Sequence, residues 1–204
     1  MTVQQIVDLA VSSELKNLAV GKDTEAVVGY LNLGLIELYK RFPLKLKEHV
    51  ITLSELTELY TMPADFMWLV EAYGEVPVDS FEAVNKLPVN EEDNPFSVNT
   101  VSWDVLQVPI NIEGEFISII YAAAPEYMSP VALDAEVPIP PQMIEAMLHY
   151  IGYRAHSSVT SEINAEFNTH YKKFEDSCSR ITTYGMLTGD DLDMSGRISD
   201  RGFV

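Results

Sequence analysis

Apolar residues recur at helical spacing toward both ends of this chain and at strand-like spacing between them. Thr2 to Val11 reads as a short amphipathic helix. Asp23 or Thr24 then offers a side-chain cap to a longer one, with Glu25 in its first turn. Val28, Leu31, Leu35, Leu38 and Phe42 follow at steps of 3, 4, 3 and 4, a single apolar stripe. Pro43 stops that helix, because it lacks an N–H and clashes with the preceding turn.

The middle of the chain predicts β-structure. His49–Leu53 and Leu59–Met62 read as two strands joined by the polar turn Ser54–Glu58, and Pro63 ends the second. Phe66, Met67, Trp68, Leu69 and Val70 form a dense apolar knot expected to pack beneath that sheet. Val76 to Asn99, with three prolines and the acidic run Glu91–Asp93, predicts an exposed loop with short strands. Val105–Val108 and Phe116–Ala123 are two further strands, linked through Pro109 and Gly114. The alternation in them is incomplete, as expected for burial on both faces.

Pro125, Pro130, Pro138 and Pro140 exclude regular structure before the last helices, whereas Pro141 suits a first helical turn. Ile144, Leu148, Ile151 and Ala155 then form one stripe, and Met143, Met147, Tyr150 and Arg154 a second on a neighbouring face. A helix apolar on two faces is either central in its domain or shared with another subunit. On the second alternative Met143, Met147, Tyr150 and Arg154 are the candidate subunit interface. A further helix over Ser161–Thr183, lined by Ile163, Phe167, Tyr171 or His170, Phe174, Cys178 and Ile181, is expected to fold back antiparallel after a sharp connection at 157–160.

The predicted fold class is therefore α+β and mainly α: a helical bundle with an inserted antiparallel β-hairpin or small β-region and an extended C-terminal tail. One domain over residues 1–183 is expected. It divides into N-terminal helices (1–48), a β-rich insertion (49–139) and a C-terminal helix pair (140–183). Residues 184–204 are expected to be a tail that is flexible or ordered by a partner. Tyr184, Met186, Leu187, Ile198, Arg201 and Phe203 are its candidate partner-binding residues, large apolar or cationic side chains being odd choices for a purely solvated segment.

Charge changes this picture most. Thirteen Lys and Arg face 31 Asp and Glu among 204 residues, a net charge of −18. A protein that grips duplex DNA needs clustered cations, so a DNA clamp is excluded. A channel wall past which DNA slides fits the charge, and so does an acidic DNA mimic that inhibits a DNA-binding enzyme. The small basic cluster Lys40, Arg41, Lys45 and Lys47 lies where cations suit a helix C-terminus. No apolar run is long enough to span a bilayer, and the first residues carry no secretory pattern, so neither membrane nor export is expected.

No reaction is named by the residues. GxGxxG, GxxxxGK[ST] and GxSxG patterns are absent. The lone Cys178 reads as a small core residue. It lies eight residues from His170, roughly 12 Å along a helix, too far for a nucleophile–base pair. Glu145 with His149, and Glu166 with His170, sit one turn apart, but the Glu-x-x-His spacing of carboxylate dimetal bundles is missing. They read as solvated helix pairs, with no metal and no cofactor expected. Nor is a catalytic residue expected.

Three stretches together resemble the adaptor, or head-to-tail connector, proteins of tailed bacteriophages. The first is Leu35-Ile36-Glu37-Leu38-Tyr39-Lys40-Arg41-Phe42-Pro43-Leu44-Lys45. The second is Tyr60-Thr61-Met62-Pro63-Ala64-Asp65-Phe66, similar to a strand-ending Tyr-x-Leu-Pro-x-Asp-Phe with Met62 in place of leucine. The third runs from Leu106-Gln107-Val108-Pro109 through Ile120-Tyr121-Ala122-Ala123-Ala124-Pro125 and Pro138-Ile139-Pro140 into Glu145–Ser157. The resemblance covers roughly residues 2–183.

It implies a structural, non-enzymatic virion protein at the neck, assembled in the host cytoplasm. Its copies would close into a homo-oligomeric ring of about twelve, by heterologous contacts. The implied partners are the portal protein above and a tail or lower neck protein below. DNA would pass through the lumen without specific binding, for retention after packaging and for ejection.

Overall fold

The computed structural model describes residues 1–75, 85–159, 165–185 and 187. They form two compact units. One holds residues 1–42 together with the described residues from 125 onward, and is helical. The other holds the described residues of 43–124 and is built from antiparallel sheets. The α+β class with an inserted β-region is what the structure shows.

In the helical unit, α1 spans Val3–Ser12, α2 Thr24–Arg41, α3 Ile144–Val159 and α4 Ala165–Thr183. Each start is chemically marked. Thr2 and Gln5 satisfy one another's backbone N–H groups, a capping box on α1. Asp23 accepts from Ala26 N at 3.1 Å and caps α2. Pro141 opens a 3-10 turn, Pro141–Met143, that leads into α3. The predicted α2 stripe, Val28, Leu31, Leu35, Leu38 and Phe42, is buried throughout. Each such side chain contributes on the order of 1.5–3 kcal/mol by leaving water.

The Pro-rich stretch 125–140 belongs to this helical unit, not with the strands where the sequence grouping over 49–139 put it. Its carbonyls are the reason. The first N–H groups of a helix have no partner within the helix. Here Val3 N donates to Ala135 O (2.9 Å) and Gln4 N to Leu133 O (2.8 Å). Buried Asn32 of α2 holds the same stretch, donating to Met128 O and accepting from Met128 N, and Tyr39 donates to Pro138 O at 2.8 Å.

The second unit has a four-stranded sheet in the order β1-β7-β3-β4 and a three-stranded sheet in the order β2-β6-β5. The strands are β1 Leu46–Thr52, β2 Leu59–Thr61, β3 Phe66–Gly74, β4 Asn85–Leu87, β5 Asn99–Ser102, β6 Val105–Gln107 and β7 Phe116–Ala123. Ile117 to Ala123 of β7 are all buried, as the broken alternation predicts.

Two sequence expectations fail here. The strands flanking Ser54–Glu58 do not pair as a hairpin: β1 pairs with β7, and β2 pairs with β6. A strand buried on both faces and hydrogen-bonded on both edges needs two neighbours, and β7 takes β1 and β3. The 54–58 turn is closed by its own bonds, with the Tyr60 hydroxyl accepting from Ser54 N and donating to Thr57 O. The apolar knot Phe66–Val70 is likewise no separate plug but the first half of β3. Register shifts between Phe66 and Trp68 and between Leu69 and Glu71 remove its period of two and so its strand signature.

The core of this unit lies among Leu69, Ala72, Leu106, Ile117, Ile119 and Tyr121. Gly114, at φ +116°, makes the turn before β7, and a side chain there would meet the Glu75 carboxylate that receives Glu115 N. No helix among the described residues is long and apolar enough to cross a membrane.

Candidate functional site

The predicted interface stripe on α3 is turned inward. Met143 and Met147 are fully buried and Tyr150 is 8% exposed. α2 lies against them, with Gly34 placed so that a Cβ would come within 2.6 Å of Met147 Sδ. Tyr150 packs edge-on against Phe174 of α4, with ring centroids 5.1 Å apart. Of the two readings of a doubly apolar helix, the central one holds, and Met143 and Met147 have no surface left for a second subunit. Arg154 is only partly covered, its guanidinium 5.9 Å from the Tyr153 ring centre. Of the predicted tail residues, Tyr184 is exposed and Leu187 half-buried. Met186, Ile198, Arg201 and Phe203 lie outside the described residues.

Large uncovered apolar side chains lie elsewhere, around the three-stranded sheet. Leu56 is 96% exposed, Trp103 75% and Ile110 60%, with Leu59, Phe96 and Val101 at least half exposed. They fall at opposite ends of the sheet. Trp103 sits in the β5–β6 turn, at the end where Thr61 pairs with Val105. Leu56 precedes β2 and Ile110 follows β6, at the end where Leu59 pairs with Gln107. A groove of about 410 Å³ opens at this second end, lined by Leu53, Tyr60, Val108, Ile110 and Ile112 beside Glu55 and Glu115. Its lining has hydroxyls and carboxylates but no histidine, cysteine or lysine.

The basic cluster is neutralised locally. Arg41 meets Glu175 and Glu37, Lys40 is 3.8 Å from Glu37, and Lys47 meets Asp65 at 2.5 Å. The hydrogen bond from Lys47 is the main cause holding the Asp65 carboxyl below its usual range. Tyr121, buried and donating to Asp65 at 3.0 Å, is pushed up to about 12, chiefly by burial. Each of these three cations faces a carboxylate, which weakens its attraction for phosphates.

A partly buried ionisable cluster sits in the helical unit, and sequence reasoning finds only part of it. His149 of α3 and His170 of α4 face one carboxylate, Glu14, in the turn after α1. Glu14 Oε2 is 2.9 Å from His170 Nδ1 and Oε1 is 3.5 Å from His149 Nδ1. Glu145, the one-turn neighbour expected beside His149, stands 3.7 Å from its Nε2. His156 stacks on His170 with centroids 4.7 Å apart. Burial lowers the pKa of His170 and favours its neutral ring. The Glu166 side chain lies outside the described residues. Glu14 bears no spacing relation to either histidine. The one trace in sequence is Gly152, a glycine inside a helix between them, where a Cβ would lie 3.0 Å from His170 Nδ1.

Comparison with curated proteins returns no match. A family model described as SU10 adaptor protein matches residues 1–198, nearly the whole chain. With the three sequence stretches found on α2, on β2–β3 and from β6 to α3, this chain belongs to the SU10 adaptor protein family.

Proposed function

We propose that this phage structural adaptor closes into a ring, of about twelve copies, beneath the portal, joining capsid to tail and lengthening the channel through which DNA is held and released. The observation that carries this reading is the pair of uncovered apolar ends on the three-stranded sheet, Trp103 at one and Leu56 with Ile110 at the other. Head-to-tail closure requires two different faces on each subunit, and an isologous dimer requires one. Aromatic and aliphatic anchors left in water are typical of surfaces that become covered on assembly.

The charge supports the channel. At −18, with Lys40, Arg41 and Lys47 already paired to carboxylates, the wall repels phosphates, so DNA threads past without being retained. The residues after 183 are proposed to be the segment ordered by the portal or a lower neck protein.

The test is to mix the purified chain with the portal of the same particle and image it by negative stain, with mass photometry for stoichiometry. Rings stacked on the portal are expected. A chain that stays monomeric at every concentration and never associates with the portal would overturn the reading.

A further inference from the structure

We propose that Glu14, His149 and His170 bind one divalent transition-metal ion of the Zn²⁺ class, which pins the turn after α1 to α3 and α4. Each residue presents one ligand atom, and the three atoms lie within 4.8 Å of one another. Neighbouring ligands on a tetrahedron with bonds of about 2.0 Å stand roughly 3.3 Å apart. His170 Nδ1 lies 2.9 Å from one oxygen of Glu14 and His149 Nδ1 lies 3.5 Å from the other, both near that edge. Small side-chain rotations complete the approach.

Three independent features favour an ion over a simple histidine–carboxylate contact. First, Nδ1 of His149 and Nδ1 of His170 are both buried, and neither makes a hydrogen bond of acceptable geometry. His170 Nδ1 is close to Glu14 but badly aligned with it. Buried polar atoms are almost always satisfied, and one cation between these two nitrogens and the carboxylate would satisfy both.

Second, the far side of His149 is arranged as in metal sites. Ligation through Nδ1 leaves the proton on Nε2, and Nε2 faces the Glu145 carboxylate, itself 3.1 Å from Arg180. A carboxylate behind a ligating histidine fixes its tautomer, and Glu145, 3.7 Å from Nε2, is placed to do so after a small side-chain rotation.

Third, the Glu14 turn and His170 approach α3 closely at a cost to the helix. Gly152 lies inside α3, where glycine is disfavoured, yet a Cβ there would stand 3.0 Å from His170 Nδ1 and 3.2 Å from Glu14 Cβ. His156, stacked on His170 and 3.4 Å from Glu14 O, holds the ring and the turn in register.

The donor set selects the ion. Two imidazoles and one carboxylate suit Zn²⁺ or Co²⁺, whereas Ca²⁺ and Mg²⁺ demand oxygen ligands. Three protein ligands leave one coordination position for water.

The full chain, stripped with a chelator and dialysed into metal-free buffer, is titrated with Zn²⁺ by calorimetry and with Co²⁺ by visible absorption. One saturable ion per chain, a raised Tm and the intense bands of four-coordinate Co²⁺ are expected. His170→Gln and Glu14→Gln should each weaken binding at least tenfold while keeping the far-UV circular dichroism of the stripped wild type. Gly29→Ala, outside the cluster, should bind as wild type does. Absence of a Tm response to Zn²⁺, or binding equally strong in H170Q and E14Q, would overturn the proposal and leave the cluster as an imidazole–carboxylate contact.

Discussion

The guanidinium of Arg41, in the last turn of α2, holds the carboxylate of Glu175 on α4 with two hydrogen bonds of 2.8 and 2.6 Å. The same guanidinium lies 4.7 Å over the ring of Phe174. Arg41→Ala should destabilise the protein by about 1–2 kcal/mol in urea unfolding. Glu175 is more than a third exposed, so screening limits the ionic part to under about 1 kcal/mol and lost packing supplies the rest. The hydrogen bond from Arg41 is the largest cause holding the Glu175 carboxyl below its ordinary 4.5. A depressed carboxyl contributes stability above its unfolded pKa and loses it as pH falls through the folded one. The gap between wild type and Glu175→Gln should thus be full at neutral pH and shrink below about 4.5. A gap unchanged in acid would show that the pair's charge contributes nothing.

Two glycines of α2 should respond to alanine with opposite signs. Alanine favours a helix interior by up to about 1 kcal/mol over glycine. At Gly29 the new methyl meets nothing within 4 Å, so Gly29→Ala should raise stability by about 0.5–1 kcal/mol. At Gly34 it would stand 2.6 Å from Met147 Sδ and 3.1 Å from Tyr150 Cδ1, both buried. Overpacking of that kind costs about 1–3 kcal/mol and outweighs the propensity gain. Urea midpoints of the two variants check both signs, and a stabilised Gly34→Ala would mean that α2 and α3 are not close-packed there.

The same helices show why part of the fold was legible and part was not. The α2 stripe obeys a local period of 3.6, and Asp23 and Pro43 mark its ends, so sequence alone delimits it. β7 betrays its burial by an apolar run interrupted only at Ser118. β3 hides because its two register shifts scramble alternation. The pairing of β1 with β7 is non-local and leaves no short-range mark. Met143, Met147 and Tyr150 are legible as an apolar face, but periodicity does not say whether a face is covered by the same chain or another. Glu14 is an isolated acid in a turn, and only the folded positions of α3 and α4 join it to His149 and His170.

Cys178 tests the packing of α4. Its thiol is buried, and burial pushes its pKa up to about 11. The thiolate is the reactive form, so a disulfide reagent at about pH 8 should leave the native protein nearly unlabelled and titrate one thiol per chain in urea. The slow native labelling rate then reports opening of α4 and should rise in Arg41→Ala. Fast stoichiometric labelling of the native protein would contradict the burial of this residue.

The two apolar ends of the three-stranded sheet give the sharpest test of ring assembly. Trp103 and Ile110 are mostly exposed, so replacing either with serine removes little core packing and should change Tm only within the scatter of surface substitutions, about ±0.5 kcal/mol. Each replacement should nevertheless abolish rings, because truncating a central anchor costs 2 kcal/mol or more per contact, about 30-fold, and a closed ring repeats that loss at every joint. Mixing the variants separates the two symmetries. A Trp103→Ser subunit keeps an intact Ile110 end, and an Ile110→Ser subunit keeps an intact Trp103 end. If Trp103 of one copy meets the Ile110 end of the next, an equimolar mixture forms capped heterodimers with one good joint and stops there. If each end meets its own kind, the same mixture forms only homodimers through the unaltered ends. Mass photometry of differently tagged chains distinguishes the two, and undiminished rings from either single variant would remove this sheet from the assembly surface.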